Sequence, residues 1–487
     1  MKWMRIHPGD DVAVAIETLP AGSMVGGVTV LETIPAGHKI ALRNISPGEN
    51  IVKYAMPIGH ASQAIRAGAW VHSHNLKTNL SSVLDYTWSG ARAAAPECQP
   101  LEGSFMGYVR PDGRVGVRNE LWIIPTVGCV NRLAENLARQ ANGRFGVPVY
   151  AFTHPYGCSQ LGEDFENTRR ILAQMARHPN AGGALVLGLG CENNNISSFQ
   201  KVLGRVDAER VQFLNAQDVE DEMTEGLRRI ESIAAAMAKD ARTRQDISKL
   251  VIGLKCGGSD GFSGITANPL LGALTDGLCA AGGSALLTEV PEMFGAETLL
   301  MERCASRQAF NAAVDMINRY KRYFEAHGQP VYENPSPGNR EGGITTLEEK
   351  SLGCVQKGGA GAVNDVLDYG ESLRRPGLSL AYGPGNDLCA CTALMAAGAQ
   401  LILFTTGRGT PLGAPVPTLK VATNTALAMR KPGWIDFDAG VLLNGTSMQA
   451  AAQALFERVL AVASGDLARN EMNGSREIAI FKDGVIL

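Results

Sequence analysis

At 487 residues the chain is too long for one compact core, and roughly two to four domains are expected. Hydrophobic residues at 45% against 19% charged residues exclude an intrinsically disordered chain. A formal net charge of −3 without a basic run argues against a nucleic-acid partner. No apolar stretch reaches the roughly 18 residues of a membrane span. The opening MKWMRIHPGDD turns acidic too early for a secretory signal, so a cytoplasmic protein without a membrane partner is expected. The 10 cysteines are too sparse for a disulfide framework and stay reduced there. They are packing residues, metal ligands or catalytic groups.

The N-terminal segment carries a short repeat: AGSMV, AGHKI, PGENI and AGAWV. Its glycines, Gly22, Gly37, Gly48 and Gly68, read as turn residues that deliver the chain into short strands. The expectation is a compact β-rich domain over residues 1–75, with His72 and His74 of WVHSHN near its last strand. Residues 76–104 hold Pro, Gly and Ser without a sustained period and read as a linker.

Strand, glycine-rich turn and helix then alternate. LWIIPTV, VPVYAFTH, ALVLGLG and RVQFLNA each precede a helical stretch, which predicts a parallel α/β domain over residues 105–245. A second α/β set over residues 246–487 starts at KLVIGLKCGG and runs through SALLTEVPEMFG to a long helix from Glu297 to about His327. ENPSPGNREGGITTLEEKSLGC reads as a long functional loop. LSLAYGPGND, LILFTTGRG, PTLKVATN and a helix near 450–464 complete the chain. The fold class is therefore α/β, a small β-rich domain plus a larger parallel-sheet body in two parts.

Ligands of parallel α/β sheets bind beyond the carboxyl ends of the strands. Cys129, Cys158, Cys191 and Cys256 follow predicted strands, and Cys354 ends the long loop. Glycine directly precedes all but Cys256, which two glycines follow, so backbone and ligand can approach closely. His72 and His74, two apart on a strand, share a face and reach one ion or one substrate. Glu289, Glu292 and Glu297 follow an apolar strand, and Glu192 with Asn193 lies in GCENNN. Ser259, Asp260, Thr266 and Asn268 occupy a glycine-dense loop. This set suits a polyhydroxylated substrate, with Asn75 beside the histidine pair. No Cys-x-x-Cys, His-Glu-x-x-His or Walker motif is present.

The motifs GVRNELWIIPTVGCVN, HPYGCSQLGED, LGLGCENN, CGGSDGFSGITANP, TEVPEMFGAE, GGITTLEEKSLGC and WIDFDAG closely resemble the altronate dehydratase family of sugar-acid hydro-lyases, which includes galactarate dehydratases. The resemblance spans nearly the whole chain, and AGHKIAL with VHSHN looks like the family's SAF-type domain. It implies an Fe2+ or Mn2+ requirement and 2-keto-3-deoxy sugar-acid products. The implied reaction is dehydration of D-altronate to 2-keto-3-deoxy-D-gluconate in hexuronate catabolism. Galactarate or another sugar acid is the alternative substrate, and a non-catalytic sugar-acid binding protein the alternative role.

Such an elimination needs a base for the C2 proton, a cation for the developing enediolate and an acid for the departing 3-hydroxyl. His72 and His74 are candidate metal ligands or an acid/base pair, and His154 is a further candidate base. Arg118 and Arg408 are candidate forks for the substrate carboxylate. The rival centre is an iron–sulfur cluster on three of Cys129, Cys158, Cys191, Cys256 and Cys354. In either case the β-rich domain would fold over the body with the linker as its hinge. A homodimer is the prior for a soluble enzyme.

Overall fold

The structure is a computed structural model that describes residues 2–90 and 98–484. The N-terminal part is built from short antiparallel strands. Val12–Ala15 and Lys39–Ala41 pair at the centre of one sheet, with Trp3–Met4 and Trp70–Val71 at its edges. Asn50–Lys53, Met56–Ala61 and Leu76–Lys77 form a second sheet. The four repeat glycines have φ of +85°, +83°, +80° and +87°, the left-handed region that a turn residue with a side chain avoids. A small core of Ala13, Ala15, Leu19, Val25, Val30, Ile34 and Ile40 fills the first sheet.

The middle of the chain begins and ends in one antiparallel sheet, where Ser104–Val109 pairs with Val115–Gly116 and with Thr243–Asp246. Between them lies a parallel sheet in the order Val149–Ala151, Glu120–Pro125, Ala181–Gly188, Val211–Asn215. Its central strands are buried on both faces, which is why LWII and ALVL are unbroken apolar runs. Helices Asn131–Ala141, Gly162–Ala176, Ile196–Leu203 and Glu222–Met237 follow the strands. Asn195 and Asp221 cap the last two with their side chains.

Among the described residues the final part holds seven parallel strands, in the order Val363–Leu367, Gly377–Ala381, Ser284–Leu287, Val251–Cys256, Leu401–Thr406, Thr418–Ala422, Phe437–Asp438. The chain starts on Val251–Cys256, completes one side with Ser284–Leu287, the edge strand Val363–Leu367 and Gly377–Ala381 between them, and returns to add Leu401–Thr406 on the other. The switch point therefore lies at Cys256 and Thr406, where the crevice of such sheets forms.

Three features of this part depart from expectation. The stretch from Glu297 is two helices, Glu297–Met301 and Arg307–Ala326, with Cys304 in the non-helical break and Ser306 capping the second. The long loop contains helices Pro337–Glu341 and Leu347–Cys354. Every residue of the latter is buried, so LEEKSLGC shows no amphipathic period by which to recognise it. Helices Ala267–Ala280 and Asp387–Ala396 escape the pattern for the same reason: they are almost wholly buried or apolar.

Candidate metal and substrate site

Strand Val251–Cys256 reads VIGLKC, and Lys255 within it is fully buried. A buried ammonium is costly unless paired. Lys255 Nζ bonds Glu289 Oε1 and lies 3.0 Å from Asp387 Oδ1, at the start of helix Asp387–Ala396. Glu289 just follows strand Ser284–Leu287 in a left-handed conformation, φ +70°, which turns its carboxylate back under the sheet edge. There its Oε2 accepts the Cys256 backbone N–H at 3.0 Å and Lys357 Nζ at 3.0 Å. These bonds hold a conformation that costs a non-glycine residue about 1–3 kcal/mol.

Cys256 ends the strand and Cys354 ends helix Leu347–Cys354. Their sulfurs are 3.3 Å apart, and each meets Glu292 Oε2, at 3.2 and 3.1 Å respectively. Both thiols are free. Among the described residues only Cys256, Glu292 and Cys354 bring three His, Cys, Asp or Glu ligand atoms within 4.8 Å of one another, and all three are buried. Lys357 Nζ donates to Cys256 Sγ at 2.8 Å and Lys350 Nζ to Glu292 Oε1 at 2.8 Å. Burial opposes the charge on Glu292, yet Lys350, Lys255 and Lys357 hold it below the ordinary carboxylate range. The hydrogen bond to Cys256, reinforced by burial, holds the Cys354 thiol well above its usual value.

The chemistry of this donor set fits a divalent transition metal. Lys255, Lys350 and Lys357 face Glu289, Glu292 and the more exposed Asp387, three cationic side chains against three carboxylates. One divalent cation in place of two thiol protons leaves that balance unchanged.

The N-terminal part closes over the same region. Lys39 and Lys53, both fully buried, donate to the two oxygens of Glu349 at 2.8 Å each. Lys39 also donates to Gly343 O at 2.7 Å and Thr345 Oγ1 at 2.8 Å. Burial opposes the Glu349 charge, but the two ammonium groups bring it down to about 2. Burial outweighs Glu349 at Lys39, whose ammonium is pushed down to about 8. Close backbone approach completes the seam: a Cβ on Gly261 or on Gly343 would overlap the Gly37 carbonyl. A small cavity remains between the lobes, lined by Lys53, Tyr54, Asp260, Glu349, Lys350 and Cys354, with space for about one water.

Residues 1–79 match the family described as altronate/galactarate dehydratase SAF domain. Residues 107–238 match D-galactarate dehydratase/altronate hydrolase, second domain, and residues 247–486 match D-galactarate/altronate dehydratase, C-terminal. The altronate dehydratase of Escherichia coli K12 is 49% identical over 496 residues, covering 100% of both chains. The chain belongs to the altronate/galactarate dehydratase family. The altronate dehydratase of Bacillus subtilis 168 is 52% identical over 100% of this chain and 99% of its own. The L-threo-forming galactarate dehydratase of Escherichia coli K12 is 33% identical over 95% of this chain and 93% of its own. As a member of this family the chain is a hydro-lyase, with an N-terminal SAF domain and an α/β body.

The other sequence-predicted residues fall into distinct places. His72 lies at the lobe seam, its Nδ1 3.1 Å from Thr345 Oγ1 and its ring stacked on Trp70. Burial, then Lys39 and His38, push it down to about 4. His74 is exposed, its ring tilted against Trp70 at 5.6 Å. Asn75 clamps this turn, accepting His72 N–H and donating to Trp70 O. The two histidines join no three-ligand group among the described residues.

His154 is buried with both ring nitrogens occupied. Nε2–H donates to Pro125 O at 2.8 Å, and Nδ1 accepts Tyr156 N–H at 3.1 Å. Neither nitrogen is left for a substrate proton, which is the geometry of a loop tie. Arg118 is likewise committed, forking onto Glu471 at 2.7 Å twice and reaching three backbone carbonyls. Arg408 stands half-exposed beside Gly258, paired to Glu341 at 3.1 Å. Glu192 clamps its own loop through Thr126, Leu189 and Gly190.

Asp260 accepts from Thr423, Ser263 and Phe262, and burial raises its carboxyl. Thr266 and Asn268 tie the glycine-dense loop to Thr423 and Gly353. Ser259 Oγ is buried without a protein partner beside the cavity. Glu297 is engaged by Tyr86, Lys321 and Gly295. Cys129, Cys158 and Cys191 are exposed, on loops of the smaller parallel sheet, whereas Cys256 and Cys354 are buried.

The pattern reading missed Lys39, Lys53, Lys255, Glu349, Lys350 and Lys357. A signal was present: a lysine inside the apolar runs VIGLKC and HKIAL is a buried charge that demands a partner.

Proposed function

We propose that this chain dehydrates altronate to 2-keto-3-deoxy-gluconate, at a divalent metal held by Cys256, Cys354 and Glu292. The observation that carries the reading is this buried thiol–thiol–carboxylate triad, set among three lysines at the switch point of the seven-stranded sheet. The metal would supply Lewis-acid stabilisation of charge developing next to the substrate carboxylate. Two thiolates in the set favour Fe2+ over Mn2+, which prefers oxygen and nitrogen donors.

The chain's own residues would do the remaining work. Lys350 and Lys357 orient Glu292 and Cys256 by 2.8 Å contacts, and Lys350 helps keep Glu292 anionic. Lys53 and Lys350 line the inter-lobe cavity, which must widen beyond its space for about one water before they meet an aldonate carboxylate. The SAF domain excludes water by docking through Lys39, Lys53 and Glu349. His72, neutral near pH 7 and seated at the seam, is the candidate acceptor for the C2 proton, while Ser259 and Arg408 are candidate hydroxyl and carboxylate contacts at the rim. The enzyme is read as cytoplasmic, acting on a free small-molecule sugar acid, and as a homodimer. Among the described residues no helix is long and apolar enough to cross a membrane.

The test is anaerobic turnover by chelated enzyme given Fe2+ or Mn2+ separately, with altronate and galactarate as substrates and 2-keto acid as the readout. Iron-restored turnover of altronate over galactarate is expected. A preference for galactarate, or binding of altronate without product, would overturn the substrate or the catalytic assignment respectively.

A further inference from the structure

The smaller parallel sheet has a second concentration of thiols, separate from the Cys256 site. Cys129 follows strand Glu120–Pro125, Cys158 follows Val149–Ala151, and Cys191 follows Ala181–Gly188. These three strands are immediate neighbours, with Glu120–Pro125 in the middle, so their carboxyl ends are spaced by roughly 5 Å. The loops are stitched to one another. Gly128 N–H donates to Tyr156 O at 2.9 Å, Asn194 N–H to Gly157 O at 3.0 Å, and Asn194 Nδ2 to Thr126 O at 3.0 Å. Ser159 N–H and Cys158 Sγ both reach Asn193 Oδ1, and Gln217 Nε2 lies 3.7 Å from Cys191 Sγ. All three cysteines are exposed and free.

An isolated cysteine is usually buried as a small hydrophobe. Three exposed thiols on three mutually bonded loops of one sheet edge do no packing. We infer that Cys129, Cys158 and Cys191 ligate an iron–sulfur cluster with one iron left without a protein thiolate. A single ion is the poorer fit, because the three sulfurs do not fall within 4.8 Å of one another, as the Cys256, Glu292 and Cys354 ligand atoms do. A four-iron–four-sulfide cluster is larger and takes thiolates spread further apart. Exposure allows the cluster to be loaded and leaves the fourth iron reachable. The Gln217 amide beside Cys191 is the kind of sulfur hydrogen bond that tunes such a centre.

The site goes beyond the proposed dehydration and is tested apart from it. The full chain is incubated anaerobically with ferrous iron, sulfide and a thiol reductant, then desalted. Iron, acid-labile sulfide and visible charge-transfer absorption are measured, with the electron paramagnetic resonance of the reduced sample. Wild type is expected to retain about four labile sulfides per chain. C256S/C354S should retain them too, and C129S/C158S/C191S should retain none, with an unchanged melting temperature. As a readout independent of variants, reconstituted wild type should protect Cys129, Cys158 and Cys191 from alkylation, mapped by mass spectrometry. Absence of labile sulfide in wild type, its persistence in the triple variant, or its loss in C256S/C354S would overturn the assignment. Because labile sulfide is counted without turnover, failure here is distinguishable from failure of the altronate reading.

Discussion

Replacing Glu349 with glutamine tests the docking of the SAF domain. Glu349 is buried between Lys39 and Lys53, and removing its charge leaves two ammonium groups with one neutral acceptor. Its carboxyl lies at about 2 in the folded chain against an ordinary 4.5. At about 1.4 kcal/mol per pKa unit, that difference is worth about 3 kcal/mol. Breaking a buried pair from one side costs about 3–5 kcal/mol, so two routes agree. Part of the cost is relieved when Lys39, already down at about 8, gives up its proton.

The sign follows from the depressed value. The Glu349 contribution is complete above pH 4.5 and is lost as pH falls from there toward 2. Urea unfolding should therefore place E349Q about 3 kcal/mol below wild type at pH 7. The gap should narrow by about 1 kcal/mol at pH 4. Hydrogen exchange should rise at residues 341–354 and in the SAF domain before it rises in the seven-stranded sheet. A gap under about 1 kcal/mol at pH 7, or one independent of pH, would refute the view that this carboxylate clamps the lobes.

Further outcomes follow from the same geometry. Cys354→Ser should weaken iron binding by more than roughly 100-fold, read by chelator competition, while the fold persists; unchanged affinity would remove Cys354 from the ligand set. His154→Ala should cost about 1–3 kcal/mol through its two backbone partners but leave kcat per folded molecule intact. Burial pushes His154 down to about 4, so its contribution is full above pH 6.5 and fades toward pH 4, and the variant should lose that acid slope. Gly261→Ala should spread the lobes, because the added methyl overlaps the Gly37 carbonyl. Susceptibility of the SAF domain to protease and loss of turnover would appear together, and a fully active G261A would contradict closure over the site.

The local elements were legible because their causes are local. Turn glycines in a repeated pattern, apolar runs of strand length, and strand–glycine–helix alternation state a β-rich segment and a parallel α/β body without reference to distant residues. The conjunction of long motifs placed the chain in its family, and Glu289, Glu292, Cys256 and Cys354 could be picked out as chemistry-bearing. What the sequence does not state is which of these meet. Cys256 and Cys354 are 98 positions apart, and only the packing of helix Leu347–Cys354 against the end of strand Val251–Cys256 brings their sulfurs to 3.3 Å.

The same packing separates residues that looked alike. Arg118 and Arg408 both sit in glycine-flanked motifs, yet one is locked on Glu471 inside the body and the other stands at the rim. His72 and His154 were both candidate bases, and hydrogen bonds occupy both nitrogens of His154. The lysines make the point most plainly. A lysine's stem suits a core position and its head does not, so a buried ammonium needs a partner, and for Lys39 and Lys53 that partner is Glu349 from elsewhere in the chain. Glu349 lies 310 positions from Lys39 and 296 from Lys53, and one-dimensional pattern carries no such distance.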